Sequence, residues 1–369
     1  MLLQRILEGI MIFTNILVIY PLDSSTKIAI YKNSNLQFLK KIRHKPEELG
    51  VFKKIADQCR FRSDLIYKEL VDNEIRFEDI SMVISRGGLI RPVKSGVYEV
   101  NDAMLEDLKA GLSGEHHINL GGLLVHSMLQ YMPNARACIA DPVVVDELED
   151  VARVTGHPEF NRKSIFHALN QKNIARTYAR SLHMAYEDMK LVIAHMGGGG
   201  CSVAAHCKGR VVDVNQAFDG AGPFALTRTG TLPAGDLVRF CFSGEHTQDE
   251  VLNMITAEGG IKAHLGTANI DDLIKRINDG DEHTRFIIYA LAYQIAKEIA
   301  SMYVVLEGDV DAIIISGEIF TIQLLTESIG KRIDKLGKMV VFGGTNDMDA
   351  LANNALMVLS GESEWMTYP

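Results

Sequence analysis

The residues best suited to chemistry in this sequence lie between Leu191 and Asp236, in LVIAHMGGGGCSVAAHCKGRVVDVNQAFDGAGPFALTRTGTLPAGD. An apolar run, Leu191 to Ala194, leads into His195, Met196 and four consecutive glycines, Gly197, Gly198, Gly199 and Gly200. Glycine at a hairpin bend adopts φ > 0 at little cost and presents no Cβ to an approaching ligand. One or two would serve a tight turn. Four suggest that something large and polar, such as a chain of phosphates, lies against the backbone N–H groups. The glycines alone fit a plain flexible tip equally well, and the following residues shift the balance. Asp213, Asn215, Asp219 and Arg228 follow closely, among Gly220, Gly222, Gly230 and Gly235. A long polar loop of this kind, opening straight off strands, is usually functional.

Those residues need a frame. Ser202 to His206 and Val211 to Val214 read as a second and third strand, separated by a turn at Lys208-Gly209. The same layout occurs earlier: Asn15 to Tyr31 reads strand, polar turn, strand, and Leu36 to His44 extends it. The letters differ, so the repeat is one of pattern. After each triple, helices alternate with short buried strands. In the first half the spacing predicts a helix over 62–73, a strand over 80–85, helices over 102–111 and 120–131, and a strand over 135–140. A long helix is expected over 164–185. In the second half helices are expected over 282–306 and 324–336, and strands over 312–315 and 339–342. A last helix over 347–359 could return to the first domain. Two copies of three strands followed by alternating helices and strands give two related α/β domains with a cleft between them, where loops converge beyond strand ends. There is no GxxxxGK[ST] sequence, which argues against a P-loop fold.

Length and composition set the bounds. The chain has 369 residues, which suggests two domains of ordinary size. With 47% hydrophobic and 23% charged residues it reads as a globular protein. A net charge of −9 with no basic run argues against a nucleic-acid surface. Cys59, Cys138, Cys201, Cys207 and Cys241 are odd in number and lack CxxC spacing, so they read as reduced thiols of a cytosolic protein. The apolar N-terminus is interrupted by Arg5 and Glu8 and is followed by no small-residue cleavage site. No membrane span is expected. Residues 1–10 read as an upstream extension ahead of Met11, residues 11–188 with 347–369 as the first domain, and 189–346 as the second, nucleotide-side domain.

Five stretches carry a resemblance: RGGLIRPVKSGVYEVNDAMLEDL, DPVVVDELEDVARVTGHPEF, RKSIFHALNQKNIARTYA, AHMGGGG and DVNQAFDGAGPF. Together they resemble the butyrate kinases, part of the acetate kinase group in the actin-like, sugar-kinase-like superfamily. The resemblance runs from about Ile16 to the C-terminal Tyr-Pro. It implies two actin-like (ribonuclease H-like) α/β domains flanking an active-site cleft. It also implies reversible transfer of the ATP γ-phosphoryl group to a short-chain carboxylate such as butyrate, with Mg²⁺. Phosphoryl transfer is mainly positioning and charge neutralisation, which suits cationic side chains, a metal and backbone N–H groups. By resemblance, Arg86 and Arg228 are the two arginines of the site, with Arg86 on the acid. Asp141 lies near the attacking carboxylate and the metal, His195 donates to the transferring phosphoryl group, and His116 lies near the acid. Ser25, Thr26 and Lys27, the four glycines, and Ser316 and Gly317 fall on the nucleotide side. The expected partners are a small carboxylate and a nucleotide, with neither nucleic acid nor membrane, in a homo-oligomer. His126, His167, His183 and His206 are assigned no role.

The sequence departs from the family pattern in places. The first phosphate loop of the family reads NPGSTSTK, and here it is Tyr20-Pro21-Leu22-Asp23-Ser24-Ser25-Thr26-Lys27. Tyr20 stands for an asparagine expected near Mg²⁺, Leu22 for a glycine, and Asp23 adds negative charge close to phosphates. A unit charge 4 Å from another costs about 4 kcal/mol at an effective dielectric of 20. Ser316-Gly317-Glu318-Ile319 stands for TGGI, and Asp347 for a metal-side glutamate before a methionine. Three readings follow: an active short-chain fatty-acid kinase with an adapted nucleotide site, a degenerate member that binds without turnover, and a kinase of a related acid (acetate, propionate or a branched-chain acid).

Overall fold

The computed structural model describes residues 14–343 and 346–369. The expected extension, residues 1–10, and Met11 lie outside the described residues. Two β-sheets carry the fold. The first takes β1 (Asn15–Pro21), β2 (Ser25–Lys32), β3 (Asn35–Arg43), β4 (Ile80–Arg86), β5 (Val97–Glu99), β6 (Arg136–Ala140) and β12 (Trp365–Thr367) in the order β12-β5-β6-β4-β1-β2-β3. The second takes β7 (Lys190–Gly197), β8 (Gly200–Cys207), β9 (Arg210–Val214), β10 (Ala312–Ser316) and β11 (Met339–Phe342) in the order β11-β10-β7-β8-β9. In each, three antiparallel strands are followed by two strands added parallel to the first, β4 and β6 in one sheet and β10 and β11 in the other. In the first sheet β5 then runs antiparallel to β6. The pattern repeat seen in the sequence is thus a repeat of topology, and the molecule is a duplicated actin-like α/β fold.

Alternation along the strands explains the layering. In the second sheet Val192, Ala194, Val203 and Ala205 pack with Ile288, Leu291, Ile295 and Ile299 of the helix Glu282–Val305. Leu191, Ile193 and Ile314 face the other way, onto Ile174, Ala175 and Tyr178 of the helix Ala168–Ser181. In the first sheet Leu17, Ile19 and Val83 pack with Ile66 and Leu70 of the helix Gln58–Asp72 and Leu120 and Leu124 of the helix Leu120–Met128. The terminal helix Asp347–Leu359 packs on β1 and β4.

The chain divides by packing into residues 14–144 with 346–369, and residues 145–343. Residues 145–188, expected with the first domain, group with the second. The reason is burial: Val145, Leu148 and Phe166 pack on Ala204, Val211 and Val214, and the helix Ala168–Ser181 covers β7. That helix is shorter than the 164–185 expected. Ser164 bonds the Val145 carbonyl at 2.6 Å, which holds its segment outside the helix, and His183 takes φ 56° just past the helix end. The three-residue strands β5 and β12, parallel to each other, carry too little periodicity to read from sequence. All five cysteines are unbridged. Among the described residues no helix is long and apolar enough to cross a membrane.

Candidate active site

In the first unit the C-terminal ends of β1, β4 and β6 lie side by side, with Ile19 paired to Ser85 and Arg86 to Ala140. This register puts Tyr20, Arg86 and Asp141 at one edge of the sheet, where α/β folds bind ligands. Arg86 Nη1 donates to the Tyr20 hydroxyl at 2.5 Å, and the guanidinium carbon lies 4.8 Å from the Tyr20 ring centroid. The same hydroxyl donates to the Asp347 carboxylate. Burial, before any charge effect, pushes the Tyr20 phenol well above its usual range, so it stays protonated. Arg86 Nε is buried without a partner among the described residues. Gly121 lets the helix Leu120–Met128 approach this corner, since a Cβ there would lie 2.3 Å from the Arg86 carbonyl.

Asp141 sits at φ 37°, a left-handed conformation uncommon for a non-glycine residue and frequent at functional sites. Its Oδ1 accepts from Ser95 Oγ at 2.6 Å and from Gly96 N at 2.9 Å. His116 Nδ1 accepts from Ile118 N at 3.4 Å, and its ring lies 4.0 Å from that of His117. Its segment is tied to the loop after Arg86 by Asn119, whose Oδ1 accepts from Leu89 N at 2.8 Å.

The first loop is held by a residue that sequence reasoning did not single out. Arg62, 1% exposed, donates to the carbonyls of Leu22 (2.8 Å), Asp23 (2.7 Å) and Ser25 (3.1 Å), and to Thr26 Oγ1 (3.2 Å). Its Nε and Nη2 donate to Gln58 Oε1. Thr26 Oγ1 also bonds His44 Nε2 at 2.9 Å, so this hydroxyl is engaged inward. Ser25 is buried, Lys27 half-buried, and Asp23 is exposed at the tip.

In the second unit His195 pairs with Ser202 on β8 and with Ser316 on β10, so the histidine and the Ser316-Gly317 turn share a strand end. Gly198 and Gly199 form the hairpin tip with φ 54° and 90°. The glycines serve the protein's own side chains more than expected. A Cβ on Gly197 would meet His195 Nε2 at 2.8 Å, on Gly199 Thr227 Oγ1 at 2.4 Å, and on Gly200 Arg228 Nη1 at 2.3 Å. Of the four, Gly198 alone faces open space among the described residues. Arg228 donates from Nη1 to the Ala217 carbonyl at 2.7 Å and lies 5.0 Å from the Phe218 ring centroid. At Gly317, with φ 122°, a Cβ would lie 2.0 Å from the Met196 carbonyl. Ser316 Oγ is buried without a partner among the described residues, and Glu318 points to solvent.

Other polar residues of this stretch are structural. Asp213 pairs with Arg162 at 2.7 Å, Asn215 bonds Val203 N and the carbonyls of Cys201 and Ala221, and Asp219 accepts from Gln216. His167, given no role from sequence, stands edge-on to His195 with ring centroids 5.0 Å apart. Its Nε2 bonds the Gly197 carbonyl at 2.7 Å and its Nδ1 meets Ser202 Oγ at 3.1 Å. A carbonyl only accepts, so Nε2 is the donor to Gly197. Its place in RKSIFHALNQK was the available signal. The chain continues inward: Gln171 Nε2 donates to Ser202 Oγ at 3.0 Å, and Gln171 Oε1 and Tyr186 hold the two nitrogens of buried His206.

Among the described residues no group of three or more histidine, cysteine or acidic side chains could hold a metal by itself. Mg²⁺ beside phosphates needs only one or two carboxylates, the rest of its shell being phosphate oxygen and water. The hard oxygens of Asp141 and Asp347 fit that requirement in kind.

The repeated strand order and the polar residues gathered at strand ends define a duplicated actin-like fold with ligand-facing edges. Residues 157–356 match the acetokinase family, and the chain belongs to it. It is 46% identical over 353 residues to butyrate kinase 2 of Clostridium acetobutylicum, a match covering 96% of this chain and 99% of that protein. In fold it is similar to acetate kinase of Porphyromonas gingivalis, with a TM-score of 0.76, 16% identity, and 94% and 100% of the two chains covered. A propionate kinase of Francisella tularensis gives a TM-score of 0.74 at 16% identity, covering 92% and 98%.

Proposed function

We propose that this protein is a short-chain fatty-acid kinase, transferring the γ-phosphoryl group of ATP to butyrate or a close relative. A carboxylate oxygen forms the new bond to phosphorus, the bond from phosphorus to the bridging oxygen of ADP breaks, and butyryl phosphate and ADP leave. The first unit supplies Arg86 for the acid, His116 near it, and Asp141 and Asp347 as carboxylates able to hold Mg²⁺. When bound, that ion neutralises charge on the phosphates. The second unit supplies Arg228 and His195 toward the transferring group, and Gly198, Ser316 and Gly317 on the nucleotide side. Lys27 adds a cation on the first loop. The observation that carries this reading is Arg86 at the end of β4, a guanidinium with a buried N–H still to be satisfied, in a chain of this family.

The test is acyl-phosphate formation, trapped as the hydroxamate, from ATP and C2 to C6 acids. Arg228→Ala is expected to lower kcat on the order of 10³-fold, as loss of a transition-state charge contact does. Arg86→Ala is expected to raise the KM for the acid more than it lowers kcat. Small, equal effects on both parameters in both variants would contradict these roles. A second reading, a member without turnover, is favoured by Tyr20, which engages both Arg86 and Asp347. No hydroxamate from any of these acids, beside an active control kinase, would select it.

A further inference from the structure

Tyr20 occupies a position where the family pattern has asparagine, and its contacts are those of a placed group. A guanidinium can only donate and an ionised carboxylate only accept. The hydroxyl therefore accepts from Arg86 Nη1 and gives its own hydrogen to Asp347, which fixes the direction of both bonds. A neutral oxygen thus stands between an arginine and a carboxylate that would otherwise attract each other. Arg86 is held by one nitrogen and by the Tyr20 ring beneath it, while its Nε has no partner among the described residues. An unmet buried donor is costly and recurs where a ligand completes the site.

We propose that Tyr20 is a positioning residue for acid recognition: it keeps Arg86 from closing onto Asp347 and leaves the remaining guanidinium N–H groups for the substrate carboxylate. This rests on the assignment of Arg86 to the acid. The purely structural alternative is that Tyr20 only anchors the terminal helix. The molecule contains its own control for that. Tyr31, on β2, donates to Asp349 of the same helix turn at 2.5 Å and meets no arginine among the described residues. Tyr20→Phe and Tyr31→Phe each remove one tyrosine–aspartate bond to that helix, but Tyr20→Phe alone releases Arg86.

The experiment compares the full-length parent with Tyr20→Phe, Tyr31→Phe and Arg86→Lys. It reads KM for butyrate, KM for ATP, kcat, and butyrate affinity by titration calorimetry. Tyr20→Phe is expected to weaken butyrate about 10- to 100-fold, the size of one charge-assisted hydrogen bond, with kcat and the ATP KM within about threefold. Tyr31→Phe is expected to leave butyrate within about twofold. Unchanged or tighter butyrate binding in Tyr20→Phe, with weakened binding in Arg86→Lys, would overturn the inference and spare the function. Equal weakening in both tyrosine variants would reduce Tyr20 to a helix anchor. Unaltered binding in Arg86→Lys, or none in the parent, would overturn the assignment of Arg86 and this inference with it.

Discussion

The two units solve the same problem, exposing backbone N–H groups at a hairpin tip, by opposite means. In the second unit the tip is Gly198-Gly199, whose left-handed φ values make the turn, while His195, Thr227 and Arg228 fill the space that absent Cβ atoms leave. In the first unit the tip runs Leu22-Asp23-Ser24, with no glycine, and a buried arginine grips it from behind. In a planar trans peptide the N–H points away from its carbonyl. With the Leu22 and Asp23 carbonyls turned in to Arg62, the N–H groups of Asp23 and Ser24 are turned out. Leu22 therefore costs the loop less than its replacement of a glycine suggests. Asp23 has its carbonyl in the clamp and its side chain in solvent, where charge is screened, so the 4 kcal/mol figure overstates its effect. Glycine shapes one tip and side-chain hydrogen bonds shape the other.

The sharpest way to break this contrast is Gly200→Ala. Its new Cβ would fall 2.3 Å from Arg228 Nη1 and 2.7 Å from the Ala217 carbonyl, so the guanidinium must move. A displacement on the order of 1 Å near the reacting groups costs about 10²-fold in rate. We expect kcat to fall by that factor with the acid KM little changed. If kcat stays within about threefold, Gly200 is not there to seat Arg228. The counterpart in the first unit is Arg62→Met, which keeps apolar bulk and removes the clamp. Partial rehydration of the exposed carbonyls limits the loss, and unfolding by urea should show about 2 kcal/mol. The ATP KM should rise while the butyrate KM holds. A loop indifferent to Arg62 would leave both stability and the ATP KM unchanged.

What was legible in the sequence follows from the range of the forces involved. The strand triples, the helix over 347–359, and Arg86, Asp141 and His195 at strand ends rest on local periodicity. Arg62 was not legible, because nothing in QCRFRSDLIYKEL distinguishes an inward arginine from a solvated one. Tyr20 read as a loss because its partner Asp347 lies 327 residues away. The four glycines read as a phosphate cradle because sequence shows a missing Cβ but not what fills its place. The grouping of residues 145–188 with the second unit was hidden for the same reason: it depends on which sheet Phe166 and Tyr178 meet.

The smallest effect concerns protons at the first clamp. His44, 4% exposed, bonds Thr26 behind the loop, and its pKa is lowered to about 4. Burial is the main cause, the Arg62 charge adds to it, and Glu48 partly opposes both. In the unfolded chain the imidazole returns to about 6.5. Between those values the unfolded state binds the extra proton, so the histidine's contribution is complete above about pH 6.5 and is lost as pH falls towards 4. His206 in the second unit, also buried and lowered, acts in the same direction. His44→Gln keeps a side-chain partner for Thr26 and does not titrate. Urea unfolding of the parent between pH 7 and 5 should lose stability with a slope of up to one proton more than the variant. Removing Arg62 in the same background should reduce that difference, since its charge helps to keep His44 neutral. Parallel curves for parent and His44→Gln would mean that His44 accepts a proton in the folded protein, and that the first tip is looser than its hydrogen bonds imply.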